Sequence, residues 1–143
     1  MQVERTFHFD AAHRLMNHAG KCCLLHGHTY RLDVILVESL PRVPFEVNDC
    51  MIMDFGEIDK RVRGWLDKSW DHGVILNEKD EELVEFLRPL SRVCTLPGDP
   101  TAERMVGALV SVHLPKMFPE IRSVGARLWE GEKSAVFAMG SSV

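Results

Sequence analysis

The stretch HGHTYRLDVILVE, residues 26–38, has the composition of a β-strand. It is rich in β-branched and aliphatic side chains, and Pro41 and Pro44 close it at the far end. Because side chains two residues apart point to the same face of a strand, His26 and His28 are expected to present two imidazoles side by side. Two neighbouring imidazoles make half of a metal site.

Another strand is predicted earlier in the chain, over residues 3–10, and is the first of the two in chain order. Its apolar side chains, including Phe7 and Phe9, share one parity, which is the pattern of a half-buried strand. The intervening residues 16–23 are predicted to form a loop, so the two strands make a hairpin. Antiparallel pairing would bring His13, just after the first strand, close to the beginning of the second strand.

Helical patterns fill the middle of the chain. Asp54 is positioned to cap a helix, and Glu57 completes a capping box ahead of an apolar stripe that runs to Leu66. A shorter helix is predicted over residues 80–87, ended by Pro89.

A third helix and a hairpin complete the chain. Asp99 and Pro100 are expected to open the helix as its cap and first residue, and the helix is expected to end near Pro115. The remaining segment alternates over residues 124–139 around a turn at 130–133, which predicts a hairpin.

The predicted order of elements is therefore β-β-α-(α)-α-β-β, in one domain over residues 1–143. Two hairpins that flank helices predict an α+β fold, with a four-stranded antiparallel sheet and helices on one face. Such a sheet has two open edges to protect.

Composition narrows the class of protein. The 143 residues are 45% hydrophobic with a net charge of −4, which fits one globular domain and disfavours sequence-independent nucleic-acid binding. No apolar run approaches the roughly 20 residues of a membrane span, and no basic-then-apolar signal segment begins the chain, so we expect a cytoplasmic protein. The four cysteines form no C-x-x-C pair and are expected to be free thiols.

Five of the seven histidines fall within the first 28 residues. Three of them, His13, His26 and His28, are predicted to come together, and three histidines with an open fourth position are typical of catalytic zinc sites. Cys22 lies four residues before His26 and is a candidate base or nucleophile beside that metal. Alternatively, Cys22 or Cys23 is a small packing residue, or a fourth ligand that closes a structural Cys-His₃ site.

Several short motifs occur in the order of a known family. They are FHFDAAHRL at 7–15, CCLLHGH at 22–28, MDF at 53–55, DH at 71–72, PTAE at 100–103, and Glu130. With these motifs the chain resembles the 6-pyruvoyl-tetrahydropterin synthase and 6-carboxy-tetrahydropterin synthase family over nearly its whole length.

The resemblance implies a tunnelling fold, in which subunits join their sheets into a barrel, typically as a hexamer with active sites between subunits. It also implies a role for each matching residue. His13, His26 and His28 would bind Zn²⁺, Cys22 would be the catalytic thiol, Asp71 and His72 would transfer protons, and Glu130 with Thr101 would hold the pterin. Without the resemblance, His72 is interpreted as a loop histidine and Thr101 as a helix-initiating residue.

The implied activity converts 7,8-dihydroneopterin triphosphate to 6-carboxy-5,6,7,8-tetrahydropterin, acetaldehyde and triphosphate, on the route to queuosine and related deazapurines. Synthesis of 6-pyruvoyl-tetrahydropterin is the close alternative, because both reactions use the same residues. A third hypothesis is a non-catalytic zinc-stabilised binding module, in which Cys22 completes the metal site. A one-residue shift in the loop would transfer the role of the thiol from Cys22 to Cys23.

Two further expectations concern residues outside these motifs. The segment over residues 78–98 is longer than the corresponding segment of the shortest family members, and it is expected to form a surface insertion that carries the short helix. Cys94 lies within this segment and is assigned no function. Four basic side chains are candidates to hold the triphosphate: Lys21, Arg14, Arg31 and Lys133.

Overall fold

The computed structural model describes residues 1–39 and 51–141, so Pro41 and Pro44, predicted to close the second strand, lie outside the described residues. Within these ranges every helix is too short or too polar to traverse a bilayer. The elements are β1 (Gln2–His13), β2 (His26–Val37), α1 (Phe55–Leu66), β3 (Gly73–Asn77), α2 (Glu81–Leu87), β4 (Arg92–Leu96), α3 (Ala102–Ala108), α4 (Leu114–Met117), β5 (Ser123–Glu130) and β6 (Ser134–Ser141).

One six-stranded sheet forms the frame, with strand order β4-β3-β1-β2-β5-β6. Three pairs of neighbouring strands are antiparallel, as predicted: β1 with β2, β2 with β5, and β5 with β6. The first hairpin is paired along its full length, from Gln2 opposite Val37 to His13 opposite His26. The α+β class is thereby confirmed.

The expected four-stranded sheet is corrected to six strands, because β3 and β4 extend it in parallel beyond β1. The strand β3 is buried at every position from Gly73 to Asn77, so its sequence shows no alternation of polar and apolar residues. The strand β4 belongs to residues 78–98. That segment is therefore part of the sheet and not a surface insertion.

The helices occupy both faces of the sheet, which corrects the expectation of helices on one face. Helices α1 and α3 pack with the main core, in which Tyr30 and Leu128 are fully buried. Helix α2 packs on the opposite face against Val74 and Leu76 of β3. Because side chains alternate along a strand, Ile75 faces the main core while its two neighbours face α2.

Local capping signals predicted one helix start correctly and misassigned another. Asp54 caps α1 as predicted, accepting two backbone N–H groups of the first turn. Helix α3 instead begins after Thr101, whose hydroxyl accepts the N–H of Arg104 at 3.3 Å. The helical path then continues through a π-helical turn to Met117, beyond the predicted end near Pro115.

Candidate metal and ligand site

The ladder between β1 and β2 brings three imidazoles together. His13 ends β1 directly opposite His26, the first residue of β2, and His28 follows two residues later on the same face. Ring nitrogens from all three lie within 4.8 Å of one another. The predicted trio is therefore one cluster of atoms able to hold a metal ion.

Hydrogen bonds determine which nitrogen of each ring is free. The Nδ1 atoms of His13 and His26 lie 3.0 and 2.7 Å from the carbonyl oxygens of Pro100 and Leu24. A carbonyl can only accept, so each Nδ1 carries the hydrogen, and the Nε2 atom of each neutral ring presents a lone pair. These two Nε2 atoms face each other at 3.2 Å, an arrangement that a bound cation stabilises.

His28 supplies a third free nitrogen. Its buried Nε2 makes no hydrogen bond within the described residues, although a carboxylate oxygen of Glu130 lies 3.3 Å away. Burial lowers the pKa of His13, against the opposing effect of its bond to Pro100, and so keeps that ring neutral and able to coordinate. Three free nitrogens with a carboxylate close by fit a zinc ion.

A cavity of about 450 Å³ opens beside the trio, a volume that suits a small-molecule ligand. Four predicted site residues line it, namely His13, Cys22, Thr101 and Glu130. Glu130 ends β5 on the same parity as the buried residues of that strand. Its half-buried carboxylate therefore faces the cavity, in the direction predicted from the strand pattern.

The thiol of Cys22 is presented by a 3₁₀ turn over Lys21–Cys23, just before β2. The backbone N–H of Leu15 donates to the Cys22 carbonyl at 2.8 Å and ties this turn to the end of β1. Cys22 lines the cavity, whereas Cys23 is not among its lining residues. In the described part of the chain the cluster of metal-ligating atoms holds the three histidines alone. Of these two adjacent cysteines, only Cys22 therefore lines the cavity, and within the described residues neither belongs to the cluster.

Asp71 and His72 contact each other but lie outside that cavity. Oδ1 of Asp71 is 3.0 Å from Nδ1 of His72, and it also accepts the N–H of Asp10 at 3.0 Å. The His72 side chain is 80% exposed and lines a separate cavity of about 380 Å³ on the side of Asp10 and Thr29. One chain therefore does not bring this pair and Cys22 into the same cavity.

His72 has an unusual backbone conformation. Its φ is +54°, and no other non-glycine residue in the described ranges has a positive φ. The conformation is held by the N–H of His72, which donates to the Asp10 carbonyl at 2.7 Å, and by Arg92, which donates to the Asp71 carbonyl at 2.7 Å. A side chain in this left-handed region costs about 1 kcal/mol.

Asp99 does not cap α3 but fastens the loop that carries the thiol. Its carboxylate accepts the side-chain amide of Asn77 at 2.8 Å and the backbone N–H of Asn17 at 3.1 Å. Burial opposes the charged form, but these hydrogen bonds outweigh it and lower the pKa of Asp99. The loop between β1 and β2 is thus tied to β3 and to the beginning of α3.

Two of the four basic residues predicted to hold a triphosphate are already paired. Arg14 makes two hydrogen bonds to the buried carboxylate of Asp80. Arg31 lies 3.0 Å from Asp33, on the face of β2 opposite to the histidines. Both guanidinium groups have carboxylate partners, and the contact of these four basic side chains with a triphosphate stays a prediction.

Two residues near the trio received no role from the sequence. His18 lines the same cavity. It is one of the five histidines clustered in the first 28 residues, and that clustering is the sequence pattern that could have pointed to it. Tyr30 lies buried beneath the trio with its hydroxyl 3.4 Å from Nδ1 of His13, and it shares the parity of the two strand histidines. Burial, followed by the nearby negative charge of Glu130, raises the pKa of Tyr30.

Comparison with known proteins shows which family the chain belongs to. A family model described as 6-pyruvoyl tetrahydropterin synthase matches residues 2–141. The chain belongs to this family. It is 34% identical over 120 residues to the 6-carboxy-5,6,7,8-tetrahydropterin synthase of Rickettsia bellii, an alignment that covers 82% of this chain and 83% of that protein.

Solved structures share the fold of this family member. An uncharacterised protein from Wolinella succinogenes has a TM-score of 0.71 at 18% identity, over 96% of this chain and 97% of that chain. A 6-pyruvoyltetrahydropterin synthase from Plasmodium vivax has a TM-score of 0.67 at 14% identity, over 99% of both chains. At these identities the likeness concerns the fold, and it confirms the α+β architecture.

Proposed function

We propose that this chain is a zinc-dependent 6-carboxy-5,6,7,8-tetrahydropterin synthase, a cytoplasmic lyase whose catalytic domain spans residues 1–143. With one water, it would convert 7,8-dihydroneopterin triphosphate to 6-carboxytetrahydropterin, acetaldehyde and triphosphate, in the biosynthesis of queuosine and related deazapurines. The observation that carries the proposal is the cavity that joins His13 of the imidazole trio to Cys22 and Glu130. The similarity to the Rickettsia bellii synthase supports the choice of product.

His13, His26 and His28 would hold Zn²⁺ through their Nε2 atoms. When bound, the ion supplies Lewis-acid polarisation of the hydroxyl oxygens of the substrate side chain, which acidifies the adjacent C–H bonds. The carbonyls that accept the Nδ1 hydrogens of His13 and His26 keep both rings in the tautomer and orientation that coordination needs. Proton transfer is left to the other side chains of the site.

Glu130 would bind the pterin ring. The 2-amino-pyrimidinone edge of a pterin offers two parallel N–H donors, which match the two acceptor oxygens of a carboxylate. Thr101 also lines the cavity, and its hydroxyl already accepts the N–H of Arg104, so its own hydrogen can donate to the ligand. Because Glu130 lies 3.3 Å from His28, a ring bound there would lie beside the trio.

Cys22 and His72 would move the protons. The Cys22 thiolate would remove a carbon-bound proton from the substrate side chain, since Cys22 lines the same cavity as Glu130. His72 would deliver or accept a proton on the other side of the side chain. Asp71 would hold that imidazole through the 3.0 Å contact to Nδ1.

A second copy of the chain would complete the site. The strand β6 forms one edge of the sheet, and β1 pairs with β3 only at residues 11–13. Among the described residues, no strand covers the outer side of the rest of β1. Pairing of these two edges between copies would protect both and close the sheets into a barrel, as in the hexamer that the family resemblance implies. The exposed His72 of one copy would then complete the cavity of another.

The test is incubation of the zinc-loaded protein with 7,8-dihydroneopterin triphosphate, followed by mass analysis of the pterin and an acetaldehyde assay. The proposal expects 6-carboxytetrahydropterin and acetaldehyde in equal amounts. A 6-pyruvoyl product without acetaldehyde would instead indicate a 6-pyruvoyl tetrahydropterin synthase, the activity in the description of the family. Absence of turnover in protein with full zinc occupancy would favour a non-catalytic module.

A further inference from the structure

The loop between β1 and β2 holds His18 through contacts that are separate from the metal site. The N–H of His18 donates to the Leu15 carbonyl at 3.0 Å, and the N–H of Asn17 donates to Asp99 at 3.1 Å. Leu15 in turn donates its N–H to the Cys22 carbonyl at 2.8 Å. The backbone of His18 is therefore fastened beside the cavity.

The ring of His18 is also oriented. The N–H of Gly20 donates to Nδ1 at 2.9 Å, so Nδ1 is an acceptor and the neutral ring carries its hydrogen on Nε2. Gly20 has φ −103° and ψ −167°, which any residue can adopt, so the backbone does not require glycine at this position. A β-carbon on Gly20 would lie 2.9 Å from Cε1 of the ring. Glycine at position 20 makes room for the imidazole.

The cavity has few other donors for an anionic ligand. Two carboxylates line it, those of Glu103 and Glu130, whereas the proposed substrate carries a triphosphate. Among the described lining residues, His18 is the one side chain with a nitrogen donor apart from His13, which belongs to the trio. The arginines first predicted to hold the triphosphate are paired with aspartates.

We propose that His18 binds the triphosphate of the substrate, its Nε2–H donating to a phosphate oxygen. This inference rests on the proposed function, because that function supplies the anionic group. It makes His18 a specificity-determining residue that distinguishes a phosphorylated pterin from an unphosphorylated one. The role is separate from those of the zinc ligands and of Cys22.

The test compares the wild-type protein with His18→Ala and with His8→Ala, a matched change of an exposed histidine on the opposite face of β1. Each zinc-loaded protein is assayed for KM and kcat with 7,8-dihydroneopterin triphosphate, and titrated separately with inorganic triphosphate and with 7,8-dihydroneopterin. Loss of a hydrogen bond to a charged group is expected to raise KM, and the Kd for inorganic triphosphate, roughly tenfold to a hundredfold in His18→Ala alone. The affinity for 7,8-dihydroneopterin should not change.

Gly20→Ala is a second variant, which retains the imidazole but displaces it. Like His18→Ala, it should raise the Kd for inorganic triphosphate. It should have no further effect on that Kd in a His18→Ala background, because the two changes act through one ring. Additive losses in the double variant would overturn the assignment, as would equal losses for phosphorylated and unphosphorylated pterin.

The two proposals can fail separately. Normal turnover by the wild type, with His18→Ala indistinguishable from His8→Ala, would overturn the role of His18 and leave the proposed function intact. Triphosphate binding that depends on His18, in a protein that does not turn over the pterin substrate, would refute the proposed function alone.

Discussion

The Nε2 atoms of His13 and His26 face each other at 3.2 Å, while the Nδ1 hydrogen of each ring is committed to a backbone carbonyl. Two lone pairs at this distance repel unless a proton or a metal ion lies between them. His28 adds a third nitrogen that has no hydrogen-bond partner in the described part of the chain. The β1–β2 ladder therefore brings together three ring nitrogens that could bind a single cation.

Replacing His28 by Ala should abolish stoichiometric zinc binding, because it removes one of three ligands. The loss of affinity should exceed the roughly 10- to 100-fold that follows removal of an outer-shell partner of a ligand. Competition with a chromophoric chelator, together with elemental analysis, measures it. His8→Ala is the control and should bind zinc like the wild type. Unchanged zinc affinity in His28→Ala would contradict the three-histidine site.

The two adjacent thiols should behave differently. Cys22→Ala is expected to lower kcat by roughly 10²- to 10⁴-fold while it keeps its zinc, because the thiol lines the cavity outside the ligand cluster. Cys23→Ala should retain turnover. Steady-state kinetics and zinc content, measured on both variants, check this. The reverse pattern would move the role to Cys23, and zinc loss in Cys22→Ala would indicate a closed metal site.

At position 72 the backbone conformation should determine stability, and the imidazole should determine activity. Glycine adopts a φ of +54° without steric cost, so His72→Gly should be more stable than His72→Ala by about 1 kcal/mol. Both variants should lose turnover by roughly 10²- to 10⁴-fold. Urea unfolding and steady-state kinetics measure the two effects. Equal stability of the two variants would show that the backbone is not strained there.

Inactive variants should restore activity to each other if the site is shared between copies. A mixed oligomer of Cys22→Ala and His72→Ala chains contains cavities in which the thiol and the imidazole are both intact, each from a different chain. Random mixing in equal amounts should restore about a quarter of the wild-type activity per site. The assay follows turnover after co-expression, with each variant expressed alone as control. No recovery in confirmed mixed oligomers would mean that one chain supplies both groups.

Acid stability should depend on Asp33, which is fully buried on the face of the sheet opposite to the trio. Its carboxylate accepts hydrogen bonds from Thr6, Arg31 and Trp129 at 2.7, 3.0 and 3.1 Å. Burial alone would raise its pKa, but the three donors outweigh burial and lower the pKa of Asp33. Because the pKa of Asp33 is lower in the folded state, its carboxylate stabilises the fold at pH values above its pKa in the unfolded chain, near 3.9. This contribution is lost as the pH falls through the pKa of the folded state.

Asp33→Asn should therefore lower the free energy of unfolding at pH 7 by about 1–3 kcal/mol and flatten its decline below about pH 4. Thermal unfolding followed between pH 7 and pH 3 measures both effects. Asp67→Asn, at an exposed position after α1, is the matched control and should follow the wild type. An acid transition in Asp33→Asn as steep as that of the control would contradict the argument.

Local patterns in the sequence were sufficient for the first hairpin and for the cap of α1. Alternation along β1 and β2 predicted both strands, and their pairing brings His13 opposite His26 as expected. Asp54 caps its helix through N–H groups two and three residues away, so the signal and its partner lie within one short segment. Such contacts are encoded by neighbours in the chain.

The missed elements depend on contacts between distant segments. The strand β3 is buried on both faces because α2 covers one and the main core covers the other, and this erases the alternation by which strands are recognised. Asp99 has the composition of a helix cap, yet it binds Asn77 and Asn17 instead. Partners more than twenty residues away compete successfully with the helix terminus, and no local pattern reports them.

The order of amino acids alone specifies which imidazoles come together, because period-two geometry and hairpin register place three histidines on one face. Tertiary contacts decide how those histidines can act. The N–H at Nδ1 of His13 donates to the carbonyl oxygen of Pro100, 87 residues further along the chain. That long-range hydrogen bond leaves Nε2 free. The separation of His72 from Cys22 is likewise a property of the folded sheet, since each lines a different cavity.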